Sequence, residues 1–249
     1  MSKAKPERAS EADQHRDWRI HPHGAIRALE DNLWTVSGHI PGLPMPLRRT
    51  MTVVRLTDGR LVVHSAIALA HTSLAQLESW GEPAFIVVPS GYHRIDAPAY
   101  KKRYPKALVV CPPKSRGRVQ KAVAVDGGYD LLPDDPALEA VHLDGTSEGV
   151  LIAKSGAEHA RATLIFNDVF FNQEPLPGLA GRIYGLLGST GGPKVPPVAR
   201  WFLVQDRAAL RSHLELLARR PGLVRLVPGH GEPIDVWPSK VLSKVAAAL

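Results

Sequence analysis

Two unbroken apolar runs, AFIVVP (84–89) and ALVVCP (107–112), stand on either side of a helical segment, PAYKKRY (98–104). A strand that is apolar on both faces must be covered on both faces. Such runs therefore read as interior strands of a parallel sheet with a layer packed above and another below. A third run, LVRLVP (223–228), directly follows the clearest helix of the chain, DRAALRSHLELLARRPG (206–222). In that helix Asp206 is placed to cap the first turn, Leu210, Leu214 and Leu217 share one face, and Arg219 and Arg220 oppose the dipole at its end. Buried strands alternating with capped helices restrict the chain to the α/β class.

The remaining segments supply the other layers. LWTVSG (33–38), MTVVRL (51–56) and LVVH (61–64) read as antiparallel strands, the last two joined at Asp58-Gly59, a good hairpin pair. TSLAQLESWG (72–81) reads as a short helix capped by Thr72 and ended by Gly81. EAVHLDG, GVLIAKS and ATLIFNDVFF follow as three short strands with polar turns between them. The Gly/Pro-rich stretch 175–197 reads as too irregular for an element and long enough for a functional loop or flap. SKVLSKVAAAL at the end reads as a short helix packed outside. Two packed sheets with helices outside fit this order. Residues 1–20 form an expected flexible arm, and 21–249 one domain.

No apolar run approaches the twenty residues of a membrane span, and the N-terminal residues lack the apolar stretch of a signal peptide. Cys111 is the single cysteine, which removes intramolecular disulfides and cysteine-based zinc sites and points to a cytoplasmic setting. The net charge is +7, yet the window 97–125 alone carries eight basic residues and no acid. Two readings of that window stand: a solvated basic face, or a surface for an anionic partner such as nucleic acid, lipid headgroups or a phosphorylated ligand. No aromatic residues interleave it at regular spacing, so it is no stacking platform for single strands.

Two further segments carry chemistry. LVPGHGEPI (226–234) sets His230 between Gly229 and Gly231, where the backbone turns tightly with no β-carbon to obstruct a ligand. ATLIFNDVFFN ends a strand on Asp168. In this order, some sixty residues apart and with a helix directly before the second, the two segments resemble ligand loops of the metallo-β-lactamase-fold superfamily. The resemblance runs from about Leu33 to Ile234 and implies a four-layer αβ/βα sandwich with its metal site along one edge of the two sheets. It makes Asp168 the aspartate that bridges two metals and His230 the last ligand histidine.

The chain departs from the superfamily at its main motif, HxHxDH. Ser90, Tyr92, Arg94 and Ile95 stand at the four ligand positions. Serine and tyrosine are poor zinc ligands, arginine stays cationic and isoleucine has no donor. Thr146, in HLDGTSEGV, stands where a further histidine belongs, and His64, in VVHSAI, where an aspartate near the start of the domain belongs. The resemblance is therefore to a divergent branch with a degenerate site.

His93 and Asp96 lie beside the lost positions, and a small register shift brings either toward Asp168 and His230. The expected cleft thus gathers His64, His93, Arg94, Asp96, Thr146, Asp168 and His230. His93, Asp168 and His230 would suit one zinc or iron ion with an open position for water. The competing expectation is no metal at all, with Arg94 or an ordered water satisfying Asp168. Three functions follow: a metallohydrolase relative that is non-catalytic or at most mononuclear, an anion-binding module using 97–125, or an active mononuclear metallohydrolase on an ester-type substrate. The small molecule it takes and its oligomeric state are not legible here. HPHG (21–24) reads as a surface turn, Cys111 as inert core, and 189–194 lacks the spacing of a phosphate loop. No GxSxG elbow occurs.

Overall fold

The computed structural model describes residues 17–42 and 47–249, without the side chain of Ala180. Six strands make the first sheet, in chain order across it: β1 (Arg27–Glu30), β2 (Leu33–His39), β3 (Arg48–Arg55), β4 (Leu61–His64), β5 (Pro83–Val87) and β6 (Leu108–Val110). The first four pair antiparallel, and β4, β5 and β6 run parallel. This division follows the sequence: α1 (His71–Trp80) crosses between β4 and β5, and α2 (Ala97–Arg103) between β5 and β6, while the one-turn α3 (Arg116–Val119) follows β6. The second sheet has the order β11-β9-β8-β7, from β7 (Leu138–His142), β8 (Gly149–Ser155), β9 (Arg161–Ile165) and β11 (Leu223–Val227). A two-stranded parallel pair, β10 (Phe171–Asn172) with β12 (His230–Gly231), completes the strands.

Three apolar clusters fill three spaces between layers. Val54, Val62, Val87, Leu151, Ile165 and Val227 lie between the two sheets. Val53, Val63 and Ile86 pack against Leu74, Leu77 and Tyr100 of α1 and α2. Ile152, Leu164 and Leu226 pack against Leu210 and Leu214 of α6 (Arg207–Ala218) and Leu242 of α7 (Pro238–Ala247). Helix, sheet, sheet, helix: the chain is a four-layer αβ/βα sandwich. Asp206 caps α6 as its spacing requires, accepting from the Ala209 N–H at 3.0 Å. No described helix is long and apolar enough to cross a membrane.

Four details differ from the sequence reading. The stretch ATLIFNDVFF is not one strand: β9 stops at Ile165, and the chain turns outward at Asn167 and Asp168 before β10. The Gly/Pro-rich stretch holds a helix, α4 (Gly178–Leu186), followed by α5 (Pro197–Phe202). Glycine lowers the propensity of α4, yet a β-carbon at Gly181 would stand 1.8 Å from the Leu176 carbonyl oxygen, so its close turn admits nothing larger. Helix α1 begins one residue before Thr72, which makes no side-chain cap. There His23 Nε2 accepts the Ala70 N–H at 2.8 Å, so the HPHG turn is a fixed support. Of the expected arm 1–20, residues 1–16 lie outside the described residues, and Trp18 is docked, its ring 4.8 Å from Tyr100 and its Nε1 donating to the Leu69 carbonyl.

The basic window draws acids from elsewhere in the chain. Lys101 pairs with Asp126 at 3.4 Å, Lys102 with Asp17 at 3.7 Å and Arg103 with Glu78 at 2.9 Å. Arg118 lies over the Tyr92 ring.

Candidate metal centre

The site lies where loops from both sheets meet. His93 comes from the loop after β5, Asp168 from the turn after β9, and His230 from the first position of β12. The two glycines beside His230 are both required. A β-carbon at Gly229 would stand 2.6 Å from the Asn167 carbonyl group, and at Gly231 2.0 Å from the Asn172 oxygen, where φ is also +100°. Glycine thus lets the histidine loop pass directly over the aspartate loop.

Three donor atoms converge there. His93 Nε2 is 2.8 Å from Asp168 Oδ1, His230 Nε2 is 3.0 Å from the same oxygen, and the two ring nitrogens are 3.2 Å apart. Donors on a tetrahedral zinc ion, each 2.0–2.1 Å from the metal, stand about 3.3 Å from one another, so this triangle is close to that of three zinc ligands. The hydrogen bonding behind it points the same way. His230 Nδ1 is 2.5 Å from the Arg48 carbonyl oxygen, which can only accept, so Nδ1 carries the proton. In the neutral ring Nε2 is then a lone pair aimed at a carboxylate oxygen. Two acceptors face each other at hydrogen-bond distance, which only a cation or a further proton between them relieves. His93 Nδ1 is held by the Ser65 hydroxyl at 2.7 Å.

Burial pushes the His93 pKa down against the pull of Asp168, which favours the neutral ring a metal requires. For Asp168, burial alone would raise the pKa. The contact with His93 and His230 outweighs it and holds the carboxyl well below its usual range.

Asp168 divides its oxygens. Oδ1 faces the two histidines, and Oδ2 accepts the Ser90 hydroxyl at 2.8 Å. Ser90 is fully buried and also accepts from Asn167 Nδ2 at 3.2 Å and from the Tyr92 N–H at 3.2 Å. Behind the turn stands Glu148, 1% exposed, accepting from Asn167 Nδ2 at 3.1 Å and from the Val169 N–H at 3.0 Å. Burial, and then the charge of Asp168, raises its pKa well above the ordinary glutamate value.

The other cleft candidates go elsewhere. His64 is buried beside this group, its Nε2 without a hydrogen-bond partner among the described residues, and burial pushes its pKa down to about 3. Asp96 pairs with the buried Arg49. Thr146 hydrogen-bonds within its own turn, to the Leu143 carbonyl and the Glu148 N–H, and does not enter the cleft. The expectation that Arg94 neutralises Asp168 is not met. Among the described residues the carboxylate takes its contacts from His93, His230 and Ser90, while Arg94 donates to the Arg118 carbonyl at 3.2 Å. The cation nearest the site in effect is Arg49, whose charge acts on His93. Ser65, Ser90, Glu148 and Arg49 were missed as site residues. Glu148 alone left a signal, an acid next to Gly149 in a strand-edge turn.

Solved structures resemble the whole chain. The DIM-1 metallo-β-lactamase exposed to ceftazidime superposes with a TM-score of 0.61 at 13% identity, covering 92% of this chain and 99% of that one. The FIM-1 metallo-β-lactamase from Pseudomonas aeruginosa, in its mono-zinc form, gives 0.58 at 10% identity over 93% and 98%. The TMB-1 enzyme gives 0.58 at 13% over 90% and 96%. The sequence matches no protein-family model and none of the curated proteins.

Proposed function

We propose that this chain, which has the metallo-β-lactamase fold, is a mononuclear metallohydrolase acting on an ester-type bond. His93, Asp168 and His230 would hold one zinc or iron ion. The observation that carries the reading is the divided carboxylate: one oxygen of Asp168 faces the two histidines, and the Ser90 hydroxyl occupies the other. An aspartate whose second oxygen is held by a buried proton donor keeps one oxygen for a metal, which suits a single ion. The mono-zinc form of the FIM-1 enzyme is consistent with a single ion in this fold.

When bound, such an ion polarises a carbonyl oxygen and lowers the pKa of water to about 7. The chain's own residues supply the rest. Ser65 and the Arg48 carbonyl fix the two imidazole rings, and Ser90 fixes the carboxylate. Arg49, held by its pair with Asp96, lines the same cavity. Hydrolysis breaks the acyl C–O bond, the hydroxyl of water going to the acyl carbon and its proton to the leaving oxygen.

Metal analysis of protein purified without chelator tests the reading. About one equivalent of zinc or iron per chain is expected, with ester turnover that follows the metal, and none in Asp168→Ala or His230→Ala. Two tightly held equivalents, or none after incubation with either ion, overturns it.

A further inference from the structure

The three converging side chains and Arg49 lie in the lining of a cavity of about 840 Å³. That is within the ~300–1,000 Å³ of sites for small organic ligands. Most of the remaining lining is apolar and comes from one stretch of chain, α4 and α5 with the link between them. Leu186, Leu187, Val198, Trp201 and Phe202 face the cavity from there. The same stretch is conspicuous on the surface. Of the thirteen large apolar side chains exposed among the described residues, seven fall between residues 178 and 202. Leu186 is 88% exposed, Trp201 77% and Phe202 68%. Contiguous apolar surface of this kind marks a binding site, and here it runs into the cavity that holds His93, Asp168 and His230.

We infer that the site takes a long-chain acyl compound: the carbonyl head lies at His93, Asp168, His230 and Arg49, and the chain lies along the wall of α4 and α5. This rests on the hydrolytic reading above and adds the substrate class. Charge supports the choice of head. Arg49 is 3% exposed and lines the cavity with its guanidinium already paired to Asp96, so the charge that faces a ligand would come from an ion on His93, Asp168 and His230. A carbonyl oxygen, or the carboxylate left after hydrolysis, complements such an ion. The apolar wall complements the chain. A polar or highly charged substrate would leave the wall in water and gain nothing from it.

Calorimetric titration of the full chain, metal-free and zinc-loaded, with monomeric butanoate, octanoate and dodecanoate tests this. Dodecanoate should bind at least about a hundredfold more tightly than butanoate, the gain from burying three to four methylenes at about fourfold each. The double variant Leu187→Ser/Trp201→Ser changes two exposed side chains. It should lose about tenfold or more of the dodecanoate affinity while its zinc content stays that of the unaltered chain. Affinity independent of chain length, or untouched by the double variant, overturns the inference and leaves the metal reading standing. Binding to phosphatidylcholine vesicles without binding of monomeric dodecanoate overturns it as well, in favour of a bilayer-docking face. Chain-length dependence in a protein that takes up neither zinc nor iron keeps the acyl pocket and removes the hydrolytic reading.

Discussion

Ser90 offers the sharpest perturbation of the candidate centre. Its buried hydroxyl donates to Asp168 Oδ2 at 2.8 Å and accepts from Asn167 Nδ2 and the Tyr92 N–H, each at 3.2 Å. Ser90→Ala removes all three bonds and adds no new partner. The bond to the carboxylate is charge-assisted, so its loss costs about 1.5–3 kcal/mol, and the stranded Tyr92 N–H adds about 1 kcal/mol or more. Metal-free protein should therefore unfold in urea with a stability lower by roughly 2–4 kcal/mol. A second effect is separate from the first. Without Ser90 the carboxylate is free to rotate, and the orientation that keeps Oδ1 toward both histidines is lost. Outer partners of this kind are worth about 10- to 100-fold in metal affinity, so competition against a chromophoric chelator should show zinc binding weakened by that factor. A variant that loses stability but binds one zinc ion within about twofold of the unaltered chain would show that Ser90 only packs the turn, and the divided-carboxylate reasoning would fail.

Gly231→Ala should give a protein that unfolds at markedly lower urea or does not accumulate. The new β-carbon meets the Asn172 oxygen at 2.0 Å, at a φ of +100° that costs about 1–3 kcal/mol for any other residue. Glu30 on β1 ties the first sheet to β9 and β11 of the second through Arg161 at 2.9 Å and Arg225 at 2.8 Å. The hydrogen bond from Arg161, and then the contacts with Arg225, outweigh burial and lower its pKa. A carboxyl whose folded pKa is depressed contributes stability that is complete above its unfolded value, about 4.3, and is lost as the pH falls through the folded value. Urea unfolding should thus separate Glu30→Gln from the unaltered chain at neutral pH, and the gap should close in acid; a gap independent of pH refutes the linkage. Asp206→Ala should cost about 1 kcal/mol through loss of the α6 cap, read from the shift in urea midpoint.

What could be read in the chain and what could not divide along physical lines. The strands β5 and β6 are legible because a strand covered on both faces must be apolar throughout, and α6 because its cap and stripe are local. Helix α4 was hidden by its glycines, which mask the helical pattern and of which Gly181 serves close approach to Leu176. At the site, the structure brings together His93, Asp168 and His230, residues whose types announce themselves. Ser65 and Ser90 gave no such announcement, and Glu148 only its place in a strand-edge turn. A serine or a buried acid acquires meaning only from partners that the fold delivers from afar, as Asn167 and Asp168 are delivered to Ser90. Arg94 and Arg49 make the same point in reverse. The arginine near the motif donates to a backbone carbonyl, and the one whose charge reaches His93 sits on β3, forty-odd residues earlier in the chain.

The candidate centre draws His93 from the half of the chain that builds the first sheet, and Asp168 and His230 from the half that builds the second. The first sheet also grips the His230 loop directly: the Arg48 carbonyl accepts from its ring, and the Thr50 N–H donates to the Gly229 carbonyl. An ion held here is a reversible cross-link between the two halves, and loading and folding become one equilibrium. At a free metal concentration a hundred times its Kd, that cross-link adds about 2.7 kcal/mol to the folded state. The sandwich then has a stability set partly by its surroundings, and starvation for the ion weakens the seam between the sheets before it touches either sheet.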